Sequence, residues 1–89
     1  MLVEWRPQAL EALEEILSYL AERNSYAAER LQADIEATAE ALPRHPYMHR
    51  LGRVLGTREA VVHPNYILIY RVTHCIDIVH VLHARREYP

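Results

Sequence analysis

Apolar positions change their period along the chain. Ala9, Leu10, Leu13, Ile16, Leu17 and Leu20 recur at intervals of three and four, the spacing of one helix face. Glu11, Glu14, Glu15 and Glu22 fall between them, so this helix is expected to be amphipathic with an acidic outer side. Pro7 suits its first turn, where a missing N–H costs nothing. Ahead of it "LVEWR" (Leu2 to Arg6) alternates and predicts a short strand, with Trp5 in the core. Asn24 is expected to end the helix and Ser25 to cap the next. A second helix is expected from about Tyr26 to Ala41, with Ala27, Ala28, Leu31, Ile35, Ala39 and Leu42 as its buried stripe and Pro43 after its end. So short a joint predicts an antiparallel helical hairpin. Arg30 and Asp34 read as solvent decoration on its outside.

From Pro43 to Leu55 the chain reads "PRHPYMHRLGRVL", a loop by its two prolines and its glycine. Its apolar members Tyr47, Met48 and Leu51 are expected to hold it by tucking onto the helices. The period then becomes two. "TREAVV" (Thr57 to Val62), "YILIYRV" (Tyr66 to Val72) and "CIDIVHVLH" (Cys75 to His83) are strand-like, and "HPN" and "TH" between them are short enough for hairpins. Three such strands make an antiparallel meander. In the middle one Ile67, Ile69 and Arg71 point one way, and Tyr66, Leu68 and Tyr70 the other. One face is expected to take the helices. The other needs cover from the loop, the tail or a partner.

The order is therefore β-α-α-β-β-β, an α+β fold in which a helical hairpin packs on an antiparallel sheet, with residues 1–89 as one domain. A chain of 89 residues buries only part of its unfolded surface and gains stability from a bound partner. No apolar run is long enough to span a membrane, and the start "MLVEWRPQAL" does not read as a signal peptide. One cysteine, Cys75, excludes an internal disulfide and fits a reducing cytoplasm.

Charge divides the chain. Residues 1–43 hold nine acids and three arginines, and residues 44–89 hold seven arginines, three acids and all six histidines. The net charge of −2 hides this division, and every cation is arginine, the better fork for phosphate or carboxylate. Two readings stand: a face built for an anionic partner, or acidic helices that solvate one side.

Candidate chemistry is sparse. His45 and His49 are four apart but lie in a proline-broken loop. His80 and His83 are odd-spaced on a strand and face opposite sides, a poor ligand pair. No metal or cofactor is expected, and no glycine-rich phosphate loop exists. The remaining set is Arg58, His83, Arg85, Arg86 and Tyr88. A histidine or tyrosine that moves a proton, with arginines on phosphate, is the equipment of an RNA-cleaving site. The alternative is a basic terminus that docks a macromolecule, since arginine and tyrosine most often carry interface energy. The apolar strand residues end at Leu82, so Arg85 to Pro89 is expected to be dispensable for folding.

The stretches "GRVLGTRE" (Gly52 to Glu59), "YILIYRV" and "VLHARREYP" (Val81 to Pro89) resemble the RelE/ParE superfamily of bacterial toxins, and the resemblance covers essentially the whole chain. It implies a type II toxin–antitoxin module in the cytoplasm, of the kind tied to plasmid stabilisation. In such a module a cognate antitoxin binds and neutralises the toxin as a hetero-oligomer. ParE-like members poison DNA gyrase and are not enzymes. RelE-like members enter the ribosome and cut messenger RNA. "GTRE" and "VLH" look ParE-like, so gyrase inhibition is the expectation, with ribosome-dependent cleavage as the alternative. For cleavage the resemblance implies Arg58, Arg85 or Arg86, Tyr88 and His83 as site residues. Ala60 and Ile67 stand where RelE-type nucleases carry further basic residues, which depletes that site. For gyrase, Arg58, Arg85, Arg86 and Tyr88 are the expected target-binding residues. The antitoxin-binding residues are not legible.

Overall fold

The computed structural model describes residues 1–85 and 88. Strand β1 (Val3–Trp5) leads into helices α1 (Pro7–Arg23) and α2 (Ser25–Ala41), then a short 3-10 turn (Leu42–Arg44). Strands β2 (Arg50–Leu51), β3 (Arg58–His63), β4 (Tyr66–Val72) and β5 (Ile76–His83) follow. They form one sheet in the order β1-β5-β4-β3-β2. The meander is antiparallel as expected. Two features add to it. β1 pairs in parallel with β5, Val3 opposite Ile76, so the whole sheet is mixed. The segment read as a loop contributes β2, a two-residue edge strand beside β3.

The helical hairpin forms for the expected reasons, with one change at the joint. Pro7 opens α1. Asn24 serves both helices: its backbone N–H donates to the Leu20 carbonyl, and its side-chain oxygen accepts from the Ala27 amide at 3.0 Å. The cap is thus Asn24 and not Ser25, which is already helical; an extended backbone at Asn24 aims its side chain at the free amides. Leu10 is half exposed and leaves the buried stripe. Ala9 and the partly buried Leu13, Ile16, Leu17 and Leu20 carry that face.

The core has two parts, one on each side of the sheet. On the helix side Leu31, Ile35, Ala39 and Leu42 meet Leu68, Tyr70, Ile76, Ile78 and Val81. On the open side Ile67, Ile69 and Leu82 form a smaller cluster. β5 keeps both faces apolar through a register shift opposite Ile69 and Tyr70, which pair with His80 and Ile78. The extra residue, Val79, switches the parity of the strand, so Ile78 and Val81 face the same side three positions apart.

Candidate functional site

The "GRVLGTRE" stretch folds into a tight clamp around the start of β3. Gly56 adopts a φ of +84°, a left-handed conformation that glycine takes without the Cβ clash. That turn lets Thr57 reach back: its hydroxyl donates to the Val54 carbonyl at 2.6 Å, and its own carbonyl accepts from the Gly52 amide at 2.8 Å. A Cβ at Gly52 would collide with the Thr57 hydroxyl. Thr57 and Glu59 are the buried polar residues of the described chain, at 2% and 3% exposure.

Glu59 accepts four hydrogen bonds from two arginines. Arg50 donates to Oε1 through Nη2 at 3.0 Å and Nε at 3.2 Å. The Arg53 amide donates to Oε2 at 3.0 Å and its Nε at 3.3 Å. Burial on its own would raise the carboxyl's pKa and is the largest single influence. The hydrogen bonds from Arg53 and Arg50 together outweigh it and hold the carboxyl below its ordinary value. The clamp therefore fixes two arginines on the open side of the sheet, beside the apolar cluster.

The tail returns to the same place. After His83 the Ala84 amide donates to the Asn65 carbonyl at 2.7 Å, closing the strand end. Tyr88 packs on the cluster of Ile67, Ile69 and Leu82, as do Val79 and Ala84. The Arg53 guanidinium lies 5.4 Å from its ring centroid. Tyr88 thus covers apolar surface that the strands leave open, so removal of Arg85 to Pro89 is expected to cost some stability.

Of the five residues singled out from the sequence, the four described, Arg58, His83, Arg85 and Tyr88, do not share one face. Arg58 pairs across the sheet with Tyr70, so it belongs to the helix side. Its guanidinium donates to the carbonyls of His49 at 2.7 Å and Tyr47 at 3.1 Å. Tyr70 donates its hydroxyl to the Pro46 carbonyl at 2.7 Å, so the two together pin the Pro46–His49 loop. Burial lowers the pKa of His49, whose ring stands edge-on to Tyr70. His83 packs edge-on against Tyr66, also on the helix side. Its Nδ1 accepts from the Arg85 amide at 3.2 Å, which leaves Nε2 as the protonated nitrogen of the neutral ring. Arg85 is exposed. Tyr88 is on the opposite face, and Arg86 and Pro89 lie outside the described residues.

A groove of about 310 Å³ opens where α1 and α2 meet the β3–β4 turn. Leu20, Ala27 and Leu31 form its apolar floor, and His63 and Tyr66 its sheet-side wall. Arg30 and Asp34, read from the sequence as solvent decoration, line the groove. Arg30 also donates to the Tyr26 hydroxyl at 3.3 Å.

The family model of the ParE toxin of the type II toxin–antitoxin system, parDE, matches residues 3–88. The chain belongs to the ParE toxin family. It is 35% identical over 88 residues to a Sinorhizobium fredii (strain NBRC 101917 / NGR234) protein named "Putative toxin Y4kP", spanning 98% of this chain and 92% of that protein. A solved chain from the chromosomal ParDE TA system of P. aeruginosa shares the fold with a TM-score of 0.83 at 19% identity. That likeness covers 93% of this chain and 95% of the other. Among the described residues no helix of this ParE toxin is long and apolar enough to cross a membrane.

For the ParE chain the residues that sequence reasoning missed are Glu59, Arg50 and Arg53. A signal was present: one glutamate inside a β-pattern, with arginines one, six and nine positions before it in a nearly acid-free stretch. A buried acid in such a setting needs cationic partners. What the sequence could not give was the turn at Gly56, which brings Arg50 and Arg53 over Glu59.

Proposed function

We propose that this ParE-family toxin acts by inhibiting DNA gyrase in the cytoplasm and is neutralised by a cognate antitoxin. The observation that carries the choice of target is the separation of Arg58 from Tyr88 by the thickness of the sheet. A nuclease needs its proton-transfer group and its phosphate-holding cations within reach of one scissile bond. Here Arg58 spends its guanidinium on loop carbonyls and Tyr88 packs on the far face. The open face instead joins Arg50, Arg53 and Tyr88 in a fixed array of arginine and aromatic groups, a composition suited to docking on a large macromolecule. We assign the target contact to this face together with Arg85.

The antitoxin is assigned to the groove at the helical hairpin. Its apolar floor and mixed-charge rim suit an amphipathic segment that folds on binding. Ala27→Glu puts a charge on that floor. Its expected result is a folded, toxic protein that co-expressed antitoxin no longer restrains; neutralisation at wild-type strength would move the antitoxin elsewhere.

Ribosome-dependent cleavage makes the opposite prediction for messenger RNA. Primer extension after induction in cells is expected to show intact transcripts. Codon-phased cuts that vanish in a His83→Ala, Tyr88→Phe double variant would establish the nuclease instead.

A further inference from the structure

At the end of β5 opposite the tail, the fold gathers three metal-ligating side chains that the sequence keeps apart. Glu4 and Cys75 are separated by 71 positions. The parallel pairing of β1 with β5 sets Val3 opposite Ile76 and Glu4 opposite Asp77, which brings Glu4 to the β4–β5 turn. His74 and Cys75 lie in that turn. A carboxylate oxygen of Glu4, an imidazole nitrogen of His74 and the Cys75 sulfur all lie within 4.8 Å of one another. Cys75 Sγ is 3.4 Å from Glu4 Oε2 and 3.7 Å from Thr73 Oγ1. A depression of about 380 Å³ adjoins the group.

We propose that Glu4, His74 and Cys75 form a binding site for a divalent transition metal, zinc foremost, with water completing the coordination. Thiolate, imidazole and carboxylate are the donor set that zinc takes in a tetrahedron. Bonds of roughly 2.0–2.3 Å to such a metal place neighbouring ligand atoms about 3.3–3.8 Å apart. The sulfur–carboxylate distance already lies in that range. Glu4 and His74 are exposed, so they can turn inward without displacing core residues, while buried Cys75 supplies the fixed point.

The local electrostatics favour a dication. Burial pushes the Cys75 thiol up, and the neighbouring Glu4 and Asp77 carboxylates add to the rise, with the Thr73 hydroxyl opposing it. A thiol therefore donates to Glu4 in the metal-free protein. Metal binding releases that proton to solvent and leaves a thiolate. The Glu4 and Asp77 carboxylates beside the sulfur supply negative charge for a cation. Arg6 faces the same depression, but its guanidinium is occupied by Asp77 at 2.8 Å. A bound metal would tie the three-residue edge strand β1 to the β4–β5 turn.

The sequence offered no such site, since the histidine pairs it allowed, His45 with His49 and His80 with His83, are near neighbours in the chain. Neither pair takes part here. The proposal is independent of the toxin's target.

Titration of the EDTA-treated full chain with Zn²⁺ and with Co²⁺ tests it. The expected result is one saturable equivalent, a rise in thermal midpoint, and a sulfur-to-cobalt charge-transfer band. Cys75→Ser and His74→Ala are each expected to weaken binding at least the roughly 10–100-fold that loss of an outer-sphere partner costs. Cys75→Ser also removes the charge-transfer band. His74→Ala and Glu4→Gln alter exposed residues and carry the test if Cys75→Ser fails to fold. No saturable binding, or binding that survives His74→Ala and Glu4→Gln but disappears in His45→Ala, His49→Ala, would overturn the proposal.

Discussion

The guanidinium of Arg53 stands over the ring of Tyr88, 5.4 Å from its centroid, while its Nε donates to buried Glu59 at 3.3 Å. One side chain thus joins the clamp before β3 to the tail after β5. The consequence is that the most distinctive sequence stretches, "GRVLGTRE" and "VLHARREYP", meet on one face of the sheet. Their residue types reflect that meeting: an acid to hold two arginines, and an aromatic ring to lie on one of them.

Tyr88→Ala removes a half-buried ring from Ile67, Ile69 and Leu82. The expected cost is about 1–2 kcal/mol, from partial apolar burial and a solvent-exposed cation–π contact. Urea denaturation measures it. Tyr88→Phe keeps the ring and is expected to stay within about 0.5 kcal/mol of wild type. A double-mutant cycle with Arg53→Ala reports the contact directly, with an expected coupling of about 0.5–1 kcal/mol. Strict additivity would mean that the tail does not rest on Arg53.

Glu59 makes stability depend on pH. Its folded pKa lies below the ordinary 4.5, so the carboxylate stabilises the fold above that value. The contribution is lost as pH falls through the lower folded value. Glu59→Gln is expected to cost about 1–2 kcal/mol at neutral pH, a figure discounted because both guanidiniums are substantially exposed. The same variant is expected to flatten stability between pH 4.5 and more acidic conditions. Denaturation curves across that window give the check, and an unchanged slope would count against the clamp.

The two glycines differ in kind. Gly56→Ala forces a Cβ into the left-handed region and against Arg71, at an expected cost of about 1–2 kcal/mol. Gly52→Ala drives a methyl into the Thr57 hydroxyl, which is itself fixed to Val54. Its expected cost is about 1–3 kcal/mol as overpacking. Pairing Gly52→Ala with Thr57→Ala removes the obstacle, so the double variant is expected to cost less than the sum of the two singles. Thermal melts of the four variants would show it.

Most of the fold was legible because its periods were clean. The alternation of Ile67 and Ile69 against Leu68 and Tyr70 separated the two faces of β4, and the structure fills them with two distinct clusters. Leu10 misled because its spacing fits the stripe, yet half of its surface stays exposed. β2 was hidden: Arg50 and Leu51 carry no strand pattern, and their pairing depends on the turn at Gly56. The candidate site was less legible for a related reason. Arg58 and Tyr88 were grouped by strand order, but strand order does not say which face a side chain occupies. Residue parity does, and the pairing of Arg58 with Tyr70 puts it on the helix side.

The central claim is that this ParE-family protein acts on gyrase and not on messenger RNA. Supercoiling of relaxed plasmid by purified DNA gyrase, with increasing amounts of the full chain, tests it most directly. The expected result is dose-dependent loss of supercoiling, relieved by the cognate antitoxin and weakened by an Arg53→Ala, Tyr88→Ala double variant that is still folded by circular dichroism. Full supercoiling at every dose, from a preparation that arrests translation and cuts ribosome-bound messages, would contradict the account.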